Sequence, residues 1–277
     1  MKTKIWLITG VSSGLGKALA KSAIEKGDFV IGTFRRQSQV EEFNKKNTTN
    51  AQGILLDITN AKNIENGINS VISEYGKIDV LVNNAGTGFV GAVEEASLEE
   101  VRGIFEANFF GTLKVTQTVL SFMRKQKKGH IVQISSHGGI KAFAGFGIYN
   151  ASKFALEGFS EAMAQEVAPL GIKVSIVEPG PFRTNFAGKG LIEAVKAIDD
   201  YSATAGAFRT KLKGVDGKQE GDPVKAAKAI IEQVYSENPT LRLPLGKLAL
   251  TTIGMKLDSV KSDLEKNRKI AESVIYP

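Results

Sequence analysis

The sequence predicts an α/β fold, a doubly wound parallel β-sheet with helices on both faces, in a single domain covering residues 1–277. Three observations carry this. Short runs of consecutive apolar or β-branched residues alternate with helical patterns, as in a parallel sheet covered on both sides. A glycine-rich turn, Thr9-Gly10-Val11-Ser12-Ser13-Gly14-Leu15-Gly16, follows the first run and opens the first helical pattern. No fixed-period repeat or low-complexity linker divides the chain.

The expected strands are residues 4–9, 29–34, 53–56, 80–83, 130–134 and 173–178. Repeated strand–helix–strand units require right-handed crossovers, which wind the sheet in both directions. Ser97-Leu98-Glu99-Glu100 reads as a capping box: Ser97 caps the Glu100 amide and Glu100 reaches back. Asp222-Pro223 pairs an N-cap carboxylate with proline at the first helical position. Residues 185–221 mix glycine, charge and isolated apolar residues. An irregular excursion of that length inside a compact domain serves function or motion.

Composition bounds the rest. The chain has no cysteine, which fits a reducing, cytoplasmic setting. Met1-Lys2-Thr3-Lys4 runs straight into Ile5-Trp6-Leu7-Ile8, too short for a secretory core, and no apolar stretch approaches a membrane span. Net charge is +7, from 36 Lys and Arg against 29 Asp and Glu. The tightest basic cluster, Arg124-Lys125-Gln126-Lys127-Lys128, ends a helical pattern, where cations suit the C-terminal dipole. Neither nucleic acid nor membrane is an expected partner. His130 and His137 are the only histidines, too few for a zinc site, so no metal is expected. His137 reads either as a pocket residue or as a polar loop residue, and Trp6 as core.

Two constellations carry chemistry. Gly10 permits a tight bend, Gly14 lets backbone approach a pyrophosphate, and Gly16 packs the helix closely. The helix that starts at Leu15 offers amides and a dipole to an anion. Downstream, Ser136 precedes Tyr149 by thirteen residues and Lys153 by seventeen. A tyrosine–lysine pair four apart is weak alone, since a solvated helix face produces the same pattern. Placement strengthens it: Ser136 lies just past the strand at 130–134, on the carboxyl edge where ligands bind. A phenol near pKa 10 needs a nearby cation to act at neutral pH, and Lys153 is that cation. Ser136 can donate to the same substrate oxygen. Phe143, Phe146, Phe182 and Phe186 flank this edge, as loop packing or as pocket lining.

In this order and spacing the chain resembles the short-chain dehydrogenase/reductase family over residues 3 to about 190, with wording around Tyr149–Gly158 similar to the 17β-hydroxysteroid and retinol dehydrogenases. The resemblance implies a Rossmann-like sheet and catalytic roles for Asn108, Ser136, Tyr149 and Lys153. It places a nicotinamide dinucleotide against Gly10, Ser12, Ser13, Gly14, Leu15 and Gly16, then Asp57 and Ile58. Asn84, Ala85 and Gly86 follow, then Tyr149, Lys153, Pro179, Gly180 and Thr184. It implies association as a homodimer or homotetramer through the helices holding Asn108 and Tyr149.

The expected function is hydride transfer between the dinucleotide and a small-molecule carbonyl or alcohol, a bulky apolar ketone or secondary alcohol. A dinucleotide-binding regulator on the same fold is the alternative; the complete catalytic set speaks for turnover. NADP(H) is expected over NAD(H). An NAD-selective site ends strand two with an acidic residue, whereas this chain reads Phe34-Arg35-Arg36 with no carboxylate before Glu41. Arg35 offers its planar fork to a 2′-phosphate, Ser13 adds a hydroxyl, and Arg36 is expected to face solvent.

Overall fold

The computed structural model describes residues 3–188 and 190–276; Met1, Lys2, Pro277 and Lys189 within the expected excursion lie outside the described residues. The main sheet has seven strands, all parallel: β1 (Ile5–Ile8), β2 (Phe29–Phe34), β3 (Ala51–Leu55), β4 (Val80–Asn83), β6 (Gly129–Ile134), β7 (Ile172–Pro179) and β9 (Arg242–Leu245). Their order is β3-β2-β1-β4-β6-β7-β9, so the winding reverses between β1 and β4. A separate parallel pair joins β5 (Gly88–Val90) to β8 (Leu191–Glu193). The six expected strands all form.

The sheet divides two cores. On one face Trp6, Ile8, Val30 and Val82 pack against α1 (Gly14–Glu25), α2 (Gln37–Lys46) and α8 (Pro223–Tyr235). On the other Leu7, Ile31, Leu81 and Ile131 pack against α3 (Ala61–Tyr75), α5 (Thr112–Gln126) and α6 (Gly147–Val167). Trp6 is core, and its indole Nε1 donates to buried Asp28 at 2.9 Å, so its one polar atom is satisfied. Both expected helix starts are present. Ser97 and Glu100 close the capping box at α4 (Leu98–Phe105). Asp222 accepts from the Val224 and Lys225 amides at α8. Arg124 and Lys125 sit in the last turn of α5, which fits their dipole role.

The excursion carries β8 and α7 (Ala207–Gly214) and is docked. Buried Glu95 accepts from the Ile198 amide at 2.9 Å and pairs with Arg209 at 3.1 Å, while Tyr201 donates to Glu94 at 2.7 Å. Phe208 stacks edge-on against Phe146 at 4.8 Å. The chain ends in α9 (Lys247–Ser273), a 27-residue helix exposed over most of its length. No helix among the described residues is long and apolar enough to cross a membrane.

Candidate active site

The reversal between β1 and β4 opens a cleft of about 2220 Å³ at the carboxyl edge of the sheet. Of the residues expected from sequence to bind or react, all line it except Gly16 and Asn108, which stand directly behind its wall.

Gly10 has φ +73° and Gly14 φ +58°, backbone that other residues rarely adopt. A side chain at Gly16 would strike the Asn84 amide and the Gly10 carbonyl, so glycine here lets α1 begin close against the turn after β4. Ser13 caps α1 without a side-chain hydrogen bond, and no acidic residue stands in the first turn. The helix start therefore presents amides and a positive dipole to the cleft, a fit for a dinucleotide pyrophosphate. Two struts hold this geometry. The Thr9 hydroxyl accepts from the Asn84 and Ala85 amides, both at 3.0 Å. The Asn84 side chain donates to the carbonyls of Thr9 at 2.9 Å and Gly10 at 3.0 Å. Asn84 thus clamps the two turns together.

Past the end of β3, Asp57 Oδ1 accepts from both the amide and the hydroxyl of Thr59 at 2.9 Å. Arg35 and Arg36 are both exposed at the end of β2, and neither makes an ion pair among the described residues. Arg36 is exposed, as expected, and also borders the open cleft beside Arg35, where the chain turns into α2.

At the opposite end α6 buries Tyr149, Lys153 and Glu157 on one face, each one turn apart. Tyr149 lies between two aromatic rings, Phe146 at 5.1 Å and Phe186 at 5.6 Å. Burial pushes its phenol up to about 12, and the Ser136 hydroxyl pulls the other way. The lowering expected from Lys153 is not present in the protein alone. The ammonium stands 6.0 Å from the Tyr149 ring centre and donates instead to the Ile134 carbonyl at 2.8 Å. Burial brings Lys153 itself down to about 8, with Glu157 opposing that shift.

Glu157 begins an ionic cluster that sequence reading missed. Arg242, on edge strand β9, reaches Glu157 at 2.5 Å, Glu178 at 2.8 Å and Glu161 at 2.7 Å. Burial raises both Glu157 and Glu178, and Arg242 counters it in each. The one available signal was the four-residue step from Lys153 to Glu157.

Asn108 lies in a π-helical turn, Glu106–Gly111, between α4 and α5. Its side chain holds the Thr87 backbone and the Ser152 hydroxyl, with Gly86 between it and Lys153. Phe143, Phe146, Phe182 and Phe186 all line the cleft and give it apolar lining. His137 lines it too, its ring 5.0 Å from Phe143 and its Nδ1 2.9 Å from the Thr252 hydroxyl. Burial lowers its pKa. Leu248 and Thr252, from the first turns of α9, complete this wall. No motif in the sequence marked them. His130 is instead a core residue paired with Ser175 at 2.9 Å, lowered to about 4 by burial. The described residues contain no group of three metal-ligating side chains.

A family model for short chain dehydrogenases matches residues 4–191. The chain is 40% identical over 251 residues to a 3-ketodihydrosphingosine reductase of Bacteroides thetaiotaomicron, covering 90% of each protein. It is 37% identical over 270 residues to oxidoreductase BOA17 of Botryotinia fuckeliana, covering 97% of this chain and 98% of that one. A solved short-chain dehydrogenase from Streptomyces avermitilis superposes with a TM-score of 0.93 at 42% identity, over 99% of both chains. More distant structures of the same fold carry NAD in one case and NADP in another.

Proposed function

The chain belongs to the short-chain dehydrogenase family of oxidoreductases, and on that premise we propose that it is an NADP(H)-dependent enzyme acting on a bulky apolar ketone or secondary alcohol. One observation carries this reading: Ser136, Tyr149 and Lys153 share a cleft wall with four phenylalanines, while the glycine turn and Arg35 line its other end.

A bound nicotinamide supplies or accepts the hydride. Tyr149 Oη gives its proton to the carbonyl oxygen in reduction and takes it back in oxidation. Ser136 donates to the same oxygen and stabilises the charge that develops there. Burial outweighs Lys153 at Tyr149 in the protein alone. The role assigned to the lysine charge, one turn away, is to favour the tyrosinate that each reduction leaves behind, together with the positive charge of an oxidised nicotinamide. The Asn108 side chain is fully engaged with Thr87 and Ser152. Asn108, in the π-turn behind this wall, is assigned a water that feeds protons toward Lys153. The phenylalanine wall excludes water and favours an apolar body on the substrate. The Bacteroides relative, a 3-ketodihydrosphingosine reductase by name, points the same way.

The test is a panel of ketones and aldehydes, short-chain and long-chain, followed at the nicotinamide absorbance with NADPH. Turnover favouring apolar ketones supports the reading. Tight NADPH binding with no turnover across the panel would make the protein a dinucleotide-binding regulator instead.

A further inference from the structure

We propose that α9 is an arm that pairs with α9 of a second copy of this chain, forming an antiparallel two-stranded coiled coil. Leu250, Ile253, Leu257, Val260 and Leu264 step by three and four along this helix, and Asn267 and Ala271 continue the same steps. That is the seam of a heptad repeat, sustained for about 32 Å at 1.5 Å per residue, of which about the first 21 Å is apolar. Most of the seam is open in the single chain: Leu250 and Leu257 are 60% exposed, Leu264 66% and Val260 38%, while Ile253 is half-buried. A run of large apolar residues in the open marks an association surface.

The seam is not sealed against the body of the protein. Leu257, Val260 and Leu264 form one side of a trough of about 430 Å³, and Ile140, Phe154 and Gly158 form the other. Gly158 has nothing within 4 Å of where a side chain would stand, so the trough stays open at that point.

Charge selects both the occupant and its direction. Lys256 and Asp263 flank the seam on the same edge, one heptad apart, and neither makes an ion pair among the described residues. Arg268, on the other edge, is already held by Glu265 and Glu272 of its own helix. In an antiparallel pair with Leu257 opposite Val260, each Lys256 faces the other chain's Asp263, giving two attractions. A parallel pair would instead set Lys256 against Lys261 of the other chain and Asp263 against Arg268, each twice, so its repulsions offset its attractions. In the antiparallel register Ile253 meets Leu264, and Asn267 meets Leu250 with its amide already donating to the Asp263 carbonyl at 2.8 Å.

A membrane surface fits less well. A helix lying in a lipid interface presents a wide apolar face and a basic polar face. Here the seam is narrow, and Asp258, Glu265 and Glu272 share the outer face with the lysines.

The absence of native cysteine makes the register directly measurable. Full-length Ile253→Cys and Leu264→Cys chains are oxidised separately and mixed. The antiparallel pair predicts a disulfide dimer in the mixture only, because identical positions lie about 16 Å apart along the axis. Disulfide dimers in each variant alone, and fewer in the mixture, would mean a parallel pair and overturn the proposal. Disulfide formation in neither condition would overturn it too. Charge reversal supplies the second arm, read by sedimentation. Lys256→Asp and Asp263→Lys are each expected to weaken association at least tenfold, and the double reversal, or a mixture of the two single variants, to restore it. Equal association in all of them, or α9-dependent binding to anionic vesicles with no change in assembly, refutes the pairing.

Discussion

Asn108 and Thr87 form a closed pair: the Asn108 amide donates to the Thr87 carbonyl and its Oδ1 accepts from the Thr87 amide, both at 2.9 Å. A third bond runs to the Ser152 hydroxyl at 3.1 Å. The pair joins the strand after the Asn84-Ala85-Gly86 turn to the π-turn and to α6, so it fixes the distance between the cofactor end of the cleft and Lys153. Asp at this position keeps the acceptor but loses both donors and opposes the Thr87 carbonyl. Asn108→Asp is expected to cost about 1–3 kcal/mol, measured as a lower urea midpoint, with turnover falling alongside. An unchanged midpoint would show that this bidentate contact does not support the fold.

Tyr149→Phe removes the proton donor and keeps the ring between Phe146 and Phe186. Turnover should fall by roughly 10²–10⁴-fold, the usual worth of general acid–base help. Dinucleotide affinity, read by fluorescence titration, should stay near that of wild type. Turnover at the wild-type rate would remove Tyr149 from the chemistry.

The pH dependence follows from Lys153. Its folded pKa is brought down to about 8 by burial, so its charge is present below pH 8 and is lost as pH rises through that value. Reductive kcat/KM reports groups of the free enzyme. It should be level between pH 6.5 and 7.5 and fall above about pH 8. Tyr149, pushed up to about 12, stays protonated throughout that range. A flat profile to pH 9.5 would mean that the lysine charge is not required.

Sequence and structure part company for identifiable reasons. The six main strands were legible because each is a run of apolar residues buried on both faces, such as Val80–Asn83. Strand β9 was not: Arg242-Leu243-Pro244-Leu245 carries a charge and a proline, tolerated because it is an edge strand. The three-residue pairing of β5 with β8 is set by the docked excursion, through Glu95 and Arg209, and leaves no local signature. In the site, the three residues singled out by motif spacing, Ser136, Tyr149 and Lys153, line one cleft. Spacing could not foresee that burial would outweigh the Lys153 charge at Tyr149, since burial is a tertiary property. Leu248, Thr252 and Arg242 come from the last part of the chain, where no motif points inward.

Arg242 offers a stability test with a clear sign. Removing it leaves Glu157 and Glu178 buried, 4% and 1% exposed, without their cation. Their folded pKa values, already raised by burial, then rise further above the unfolded value. The folded state binds more protons than the unfolded one in that window, so stability falls as pH rises through it. Arg242→Met should lose about 2–4 kcal/mol at pH 8, allowing for the partly solvent-facing guanidinium, and clearly less at pH 5. Equal losses at both pH values would show that the two carboxylates are not held by Arg242.

The excursion can be tested for opening. Glu95 accepts from the Ile198 and Ala92 amides and pairs with Arg209, and these bonds hold its pKa below the usual carboxylate range. The stability it contributes is present above the unfolded carboxylate pKa and is lost as pH falls through the lower folded value. Amide hydrogen exchange over residues 191–214 should therefore be slow at pH 7 without any ligand. Glu95→Gln should speed it by roughly ten- to a hundredfold, the worth of a charge-assisted hydrogen bond. Fast exchange in wild type, slowed only by cofactor and substrate, would make the segment a mobile lid rather than a docked wall.

The choice between NADPH and NADH rests on the end of β2. Phe34 stands where an NAD-selective site places its carboxylate, and the nearest acid along the chain, Glu41, is bonded to Gln37 at 3.2 Å. Among the described residues, no carboxylate from positions 34 to 41 lines the cleft beside Arg35. Arg35 and Arg36 are both exposed, border the cleft and carry no ion pair among the described residues, so each guanidinium keeps its donors for a phosphate. Ser13, exposed in the glycine turn with no cap bond, adds a hydroxyl on the same side. A charge-assisted hydrogen bond contributes about 1.5–3 kcal/mol, which is roughly a ten- to hundredfold preference. Arg35→Ala should thus lower the NADPH-to-NADH affinity ratio by that factor. Arg36→Ala reports what the second guanidinium adds, and it should move the ratio less, since Arg36 also forms the N-cap of α2. Affinities measured by fluorescence titration for wild type and both variants decide the matter. A wild type that favours NADH, or a ratio untouched by Arg35→Ala, would show that this strand end does not read the 2′-phosphate.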